Sequence, residues 1–387
     1  MKLGVPREAD DEPRVGIVPS CLRKLLRAGF EVHVERGAGE RANHPDEEYE
    51  AAGASLVDRA GALGCEHLAC VRFPGSEGIA RGTQLTCVAD PFRNPGFVTA
   101  CLEGGITLCS MDMIPRRLSR AQSMDVNSSQ DNLAGYKAVL LGAAHASRAI
   151  PMMTTSAGTV RPARVVVMGS GVAGLQAIAT AKRIGAVVHA SDVRRSAAEQ
   201  IESVGGTFIE VEGMDDFEDD SGYAKPLTPE FIERVNRTVC EVAAGADLVI
   251  TTARIFGAPA PVTIPASAVA GFKPGAVVVD LNADVGGNCE LTVPDQVVTT
   301  EHGVTVVGTT NLPGTLPNTA SMLYANNLTT FLCSLVEDGT VVLREDDEVL
   351  VGAPEGDELH VPGMGGVLVC RDGVIHPTQS RLAGSLP

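Results

Sequence analysis

The amino-acid sequence predicts an α/β fold of two domains, each a parallel sheet flanked by helices, with the first domain discontinuous. Three observations predict it. From residue 164 onward short β-branched runs alternate with helix-like stretches. The first 112 residues carry the same rhythm, and the tail returns to helix and then to short turn-rich strands. Apolar strands separated by amphipathic helices need crossover connections, which makes parallel sheets covered on both faces. The chain has 387 residues, too long for one ordinary domain and comfortable for two.

In chain order, "MKLGVP", "FEVHVE", "ASLVD", "LACVR", "QLTCVAD" and "ITLCSMD" read as strands, with "CLRKLLRAG" and "PDEEYEAAG" as helices between them. "DNLAGYKAVLLGAAHASRAI" has a long helical pattern suited to a connecting rod. Then come the strands "RVVVMG", "AVVHASD", "TFIEVE", "ADLVITTA", "AVVVDLNAD" and "VTVVGTTN". The helices "VAGLQAIATAKRIG" and "RRSAAEQIESVGG" each end at a glycine, as a helix stop should. "SMLYANNLTTFLCSLVED" is a further helix. The expected domains are residues 1–137 plus 319–387, and residues 138–318. Residues 212–225, "EGMDDFEDDSGYAK", carry six carboxylates and read as a solvated loop in which Tyr223 is an odd aromatic.

Composition narrows the function classes. A formal charge of −17 argues against nucleic acid or an anionic membrane as the main partner. The ten cysteines form no C-x-x-C pair and lie mostly in apolar runs, so buried reduced thiols of a cytoplasmic protein are expected. The eight histidines show no metal-ligand spacing, and no metal is expected. The opening "MKLGVPREADD" lacks the apolar core of a signal peptide. Residues 165–181 are uncharged, but their glycines and their change from strand to helix pattern mark a buried β-turn-α unit.

That unit carries the clearest chemistry. "VVVMGSGVAGLQAIATA" places Gly169, Gly171 and Gly174 in G-x-G-x-x-G spacing, after a strand and at the start of a helix, with Asp192 ending the next strand. In that context the pattern predicts a Rossmann-like dinucleotide site. Gly169 allows the tight turn, Gly171 lets backbone approach a pyrophosphate, and Gly174 lets the helix pack close. The helix N-terminus, with Val172 and Ala173, faces the phosphates. Asp192 should accept from an adenosine ribose and repel a 2′-phosphate, which favours NAD(H). Val193 and Arg194 follow it, and Arg194 and Arg195 could receive a phosphate.

A second stretch, "RRLSRAQSMDVNSSQ" at 116–130, places Arg117, Gln122, Asp125 and Ser128 at offsets of 0, +5, +8 and +11. On one α-helix these would share a face about 140° wide. A guanidinium, an amide, a carboxylate and a hydroxyl aimed one way suit a polar ligand.

These segments, with "GVPREADDEPRVGIVPS", "SGYAKPLTPEFI", "VVVDLNADVGGNCELTVP", "NLPGTLPNTAS" and "CRDGVIHP", make the chain resemble the NAD(H)-binding component of proton-translocating nicotinamide nucleotide transhydrogenases, a family that shares its fold with alanine dehydrogenases. The resemblance covers nearly the whole chain. It implies that "RLSRAQSMDVNSS" closes over a bound nicotinamide. Arg117 would then hold the nicotinamide or its phosphate, Gln122 would bridge to a second nucleotide on a partner, and Asp125 and Ser128 would hold the carboxamide. Tyr223 would close a mobile loop on the nucleotide. Thr252, Ala253 and Asn282 complete the implied cofactor set. The nicotinamide is expected between the domains, at the carboxyl ends of the strands. The implied partners are a second copy of the chain, membrane-embedded subunits and a subunit holding NADP(H). The chain itself would be cytoplasmic and peripheral at the inner face of the membrane.

The sequence departs from the family at "TTARIFGAPAP", where "TTALIPGKPAP" is more usual, so Arg254, Phe256 and Ala258 are changed. Asn282 stands where alanine is common and Thr315 where arginine is frequent. The alternative is a stand-alone NAD-dependent amino-acid or hydroxy-acid dehydrogenase of the alanine dehydrogenase type. For it Arg14 would hold the substrate carboxylate and Asp284 would serve as a base, the latter joining the candidate catalytic set. Against it, Cys70 occupies the lysine position and "CVADPFRNP" offers no histidine. A third class is a subunit that binds NAD(H) without turnover.

Overall fold

The computed structural model describes residues 1–214, 228–255, 257–353 and 365–386. The chain forms two compact units, residues 1–130 with 314–387, and residues 131–313.

The first unit is built on an eight-stranded sheet. Its order is Val374–Ile375, Leu368–Arg371, Thr107–Ser110, Gln84–Val88, His67–Arg72, Lys2–Val5, Glu31–Glu35 and Ser55–Val57. The six strands from the N-terminal third are parallel, and the two from the tail are added by antiparallel pairing, Leu368–Arg371 on Thr107–Ser110 and Val374–Ile375 on Leu368–Arg371. Helix Pro317–Ser334 buries Tyr324, Leu328, Phe331 and Leu332 in the same core as Leu22 and Leu25 of helix Pro19–Arg27. Each such side chain contributes about 1.5–3 kcal/mol on full burial. The Tyr324 hydroxyl donates to the Cys70 carbonyl at 2.7 Å, and the Ser321 hydroxyl accepts from the Val15 N–H. The tail is thereby bound into the first unit by strand pairing, apolar packing and two buried hydrogen bonds.

The second unit holds a seven-stranded sheet. Its order is Thr207–Phe208, Val187–Ser191, Arg164–Met168, Leu248–Thr251, Val277–Asp280, Thr305–Val307 and Val297–Thr299, all parallel except the last. The runs Val165–Val167, 248–250 and 277–279 are completely buried, which is why they are continuously β-branched or aliphatic rather than alternating. Residues 165–181 divide into strand Arg164–Met168 and helix Val172–Arg183, and among the described residues no helix is long and apolar enough to cross a membrane. A short hairpin, Met153–Thr155 with Gly158–Val160, stands outside the sheet.

Register brings the carboxyl ends of three strands together. Met168 pairs with Ser191 on one side and Thr251 on the other. The residues just beyond, Gly169, Asp192 and Thr252, therefore meet at one edge of the sheet.

Candidate functional site

Gly169 follows strand Arg164–Met168 with φ +98°, a left-handed conformation that suits glycine. A Cβ there would meet the Thr252 Oγ1 at 2.5 Å. Gly171 is the N-cap of helix Val172–Arg183, and a Cβ on it would meet nothing within 4 Å, so space is open over the turn. A Cβ on Gly174 would lie 1.9 Å from the Gly169 carbonyl oxygen. The helix can start this close to the strand only with glycine there. No side chain caps the helix, so its first N–H groups face the open side of the turn. Val172 and Ala173 form its first residues.

Asp192 adjoins the turn. Its Oδ2 accepts from the Ser170 N–H at 3.0 Å and the Ser170 hydroxyl at 2.7 Å. Its Oδ1 accepts from the Arg194 N–H and Nε, both at 3.0 Å, and Arg194 Nη2 reaches Oδ2 at 3.2 Å. Burial pushes its pKa up, but the Arg194 hydrogen bonds and charge, with Ser170, outweigh that and hold it below the usual carboxylate range. The guanidinium of Arg194 is half exposed and Val193 is exposed beside it. This carboxylate stays ionised and sits one residue from the glycine turn through Ser170.

The other proposed cofactor contacts have local partners. The Thr252 hydroxyl donates to the carbonyls of Met168 and Gly169 at 3.2 and 3.1 Å and braces the turn from behind. Asn282 is 2 % exposed and its Nδ2 donates to the Ala253 carbonyl at 3.0 Å and to Asn288 Oδ1 at 2.8 Å. Asn288 Nδ2 adds a 2.8 Å bond to the same Ala253 carbonyl. The Asn282 amide thus anchors the Ala253 backbone. Asp284 pairs with Arg254 at 3.5 Å, so the arginine that departs from the family pattern lies beside the candidate base. Tyr223 and Phe256 lie outside the described residues, as does the acidic stretch from residue 215 onward.

In the first unit, the segment after Pro115 is not one α-helix. Residues Ser119–Met124 form a 3₁₀ helix, and the α-helix begins only at Val126. Leu118, Ala121 and Met124 are buried at a spacing of three, which is the 3₁₀ period. That spacing was the available signal. The single 140° face is therefore corrected: Arg117 precedes the 3₁₀ turn, Gln122 is exposed on it, Asp125 ends it and Ser128 lies in the first turn of the helix.

Asp125 and Ser128 do come together. Asp125 Oδ1 accepts from the Ser128 N–H at 2.8 Å, in the manner of a helix N-cap, and Oδ2 accepts from the Ser128 hydroxyl at 2.6 Å. Arg116 closes the group, donating from Nε to Asp125 at 2.9 Å and from Nη2 to Ser128 at 2.7 Å. Sequence reasoning singled out neither Arg116 nor Ser170 nor Asn288, since nothing in their spacing separates them from their neighbours.

Arg14 is 9 % exposed. Its Nε and Nη2 donate to the two carboxylate oxygens of the fully buried Glu12 at 2.7 Å each, and Nη1 donates to Gln130 Oε1 at 2.8 Å. Cys70 is fully buried, and burial pushes its thiol well up. No group of three or more metal-ligating side chains occurs among the described residues.

Residues 4–134 match the family "Alanine dehydrogenase/PNT, N-terminal domain", and residues 138–354 match "Alanine dehydrogenase/PNT, C-terminal domain". The chain is 44% identical over 393 residues to an NAD(P) transhydrogenase subunit alpha polypeptide of Rhodospirillum rubrum, covering 97% of this chain and 98% of that one. It is 27% identical to an alanine dehydrogenase of Mycolicibacterium smegmatis, covering 90% and 91%. The crystal structure of transhydrogenase from Sinorhizobium meliloti superposes with a TM-score of 0.82 at 40% identity, covering 97% of this chain and all of that one.

Proposed function

We propose, from the premise that this chain belongs to the alanine dehydrogenase/PNT family, that it binds NAD(H) at the Gly169–Gly174 turn and passes hydride to NADP+ held by a partner subunit. It is an oxidoreductase of the NAD(P) transhydrogenase alpha-subunit type, to which it is far more similar than to alanine dehydrogenases. The observation that carries the choice of NAD(H) is the Asp192 carboxylate, bonded to Ser170 inside the glycine turn. The turn fits a dinucleotide: open space over Gly171 for a diphosphate, uncapped N–H groups to receive it, and a carboxylate one strand away for a ribose.

The nicotinamide, when bound, supplies the hydride. Moving it between two nicotinamides takes no general acid or base, so the chain's role is to orient a ring and exclude water. In this reading Asp125 and Ser128 hold the carboxamide, Arg117 the nicotinamide or its phosphate, and Gln122 the second nucleotide. Two observations weigh against the rival dehydrogenase. The Nε–Nη2 edge of Arg14, which would grip a substrate carboxylate, already holds Glu12, and Asp284 is paired with Arg254. The proposed assembly is a homodimer, cytoplasmic and peripheral to the membrane through membrane-embedded and NADP(H)-binding subunits.

Fluorescence titration tests the cofactor. NADH should bind at least about tenfold tighter than NADPH, because a 2′-phosphate against a carboxylate costs at least about 1.4 kcal/mol. Asp192→Ala should narrow that gap without abolishing binding. Equal affinities in the unmutated protein would remove Asp192 as the discriminating group.

A further inference from the structure

Resting on the reading of Asp192 as the ribose-binding carboxylate, we infer that Glu210 is a second determinant of the preference for NAD(H), because it pairs with Arg195 and so cancels the second of the two cations that follow Asp192. In dinucleotide sites of this fold an arginine near the end of the second strand accommodates a 2′-phosphate. Here strand Val187–Ser191 is followed by two, Arg194 and Arg195. Each already has a carboxylate. Arg194 Nε and Nη2 lie on Asp192 at 3.0 and 3.2 Å. Arg195 Nη2 meets Glu210 Oε1 at 3.0 Å, and its Cζ stands 5.5 Å from the centroid of the Phe208 ring.

Strand pairing brings these groups together. Ala190 is in register with Phe208, and the Ile209 N–H donates to the Ala190 carbonyl at 2.8 Å. Glu210 therefore leaves the end of strand Thr207–Phe208 beside the turn that runs from Asp192 to Arg195. The Phe208 ring gives the Arg195 guanidinium a face to lie on, and Glu210 gives it a counter-charge. Two carboxylates then stand against two guanidiniums, with no net formal charge. A 2′-phosphate brings about two further negative charges, and nothing in this balance offsets them. The two carboxylates differ in reach. The side chain of Asp192 is 8% exposed at the glycine turn, whereas that of Glu210 is 72% exposed. Glu210 is thus a positioning residue that acts through Arg195. Exposed ion pairs are weak, so the effect is a few-fold and secondary to that of Asp192.

Fluorescence titration of the full chain with NADH and with NADPH tests this, at physiological ionic strength, where the direct field of an exposed carboxylate is screened. Glu210→Gln should strengthen NADPH binding about three- to fivefold and leave NADH within about twofold. Glu210→Asp, which keeps the charge, should leave NADPH weak. In an Arg195→Ala background the gain from Glu210→Gln should shrink to less than about twofold. Unchanged NADPH affinity in Glu210→Gln would overturn the inference. So would an equal gain for both nucleotides, or a gain undiminished without Arg195. Asp192→Ala separates the two levels. If it narrows the gap between NADH and NADPH while Glu210→Gln does not, only the role of Glu210 falls. If the unmutated chain binds both nucleotides equally and Asp192→Ala changes neither, the reading of Asp192 falls with it.

Discussion

Glu8 accepts from the backbone N–H groups of Val71 and Arg72 at 2.6 and 3.2 Å while buried at 7% exposure. Burial, against those two hydrogen bonds, raises its pKa from 4.5 to about 7, and the nearby Glu12 charge adds to the rise. Between pH 4.5 and about 7 the folded chain keeps a proton at Glu8 that the unfolded chain has released. Its contribution to stability is fully present below 4.5 and is lost as pH rises through about 7, a change on the order of 3 kcal/mol. Glu8→Gln, which copies the protonated shape, should flatten this region of the stability–pH curve in denaturant unfolding. An unchanged slope would mean that Glu8 titrates normally. Residues of this kind are invisible in sequence, because a carboxylate near the N-terminus gives no sign of its burial. The glycine spacing was legible because so tight a strand–turn–helix needs glycine at particular offsets, at Gly169 for its positive φ and at Gly174 for the close approach of backbone. Arg116 and Ser170 were not, since their roles come from which side chain the backbone turns toward Asp125 or Asp192.

Helix Val126–His145 packs on the glycine turn from behind: a Cβ at Gly135 would lie 2.0 Å from the Ala173 carbonyl oxygen. Two effects oppose each other in Gly135→Ala. Alanine favours a helix over glycine by about 1 kcal/mol, but a backbone oxygen at that distance cannot move without displacing the start of helix Val172–Arg183. The steric effect should win, lowering the thermal midpoint and weakening NADH several-fold. Gly96→Ala, in helix Pro95–Gly104 with nothing within 4 Å of the new methyl, should instead be neutral or stabilising. Similar behaviour of the two variants would show that the contact at Ala173 does not matter. At this scale the continuous β-branched runs announced the central strands of both sheets. The edge strand Val297–Thr299 and the hairpin Met153–Val160 escaped notice, because exposed strands need no apolar pattern. "TFIEVE" promised a longer strand than Thr207–Phe208, where only two residues find partners on Val187–Ser191.

For the whole molecule, the central claim is that this chain hands hydride to another nucleotide and not to a carbon substrate. Its most direct measurement is single-turnover transfer from NADH on this chain to an NADP+ analogue on a transhydrogenase NADP(H)-binding domain, beside a screen of 2-oxo acids with ammonia. Gln122, exposed on the 3₁₀ turn, is the residue proposed to bridge the two nucleotides. Gln122→Asn withdraws its amide by one methylene, and in a site that works by alignment this can cost on the order of a hundredfold in rate. NADH affinity should hardly change, and Asp284→Asn should matter little. Transfer to the nucleotide acceptor, slowed by Gln122→Asn, is expected, with no turnover of any oxo acid. Robust reduction of an oxo acid, abolished by Asp284→Asn and accompanied by no transfer to the nucleotide, would contradict it.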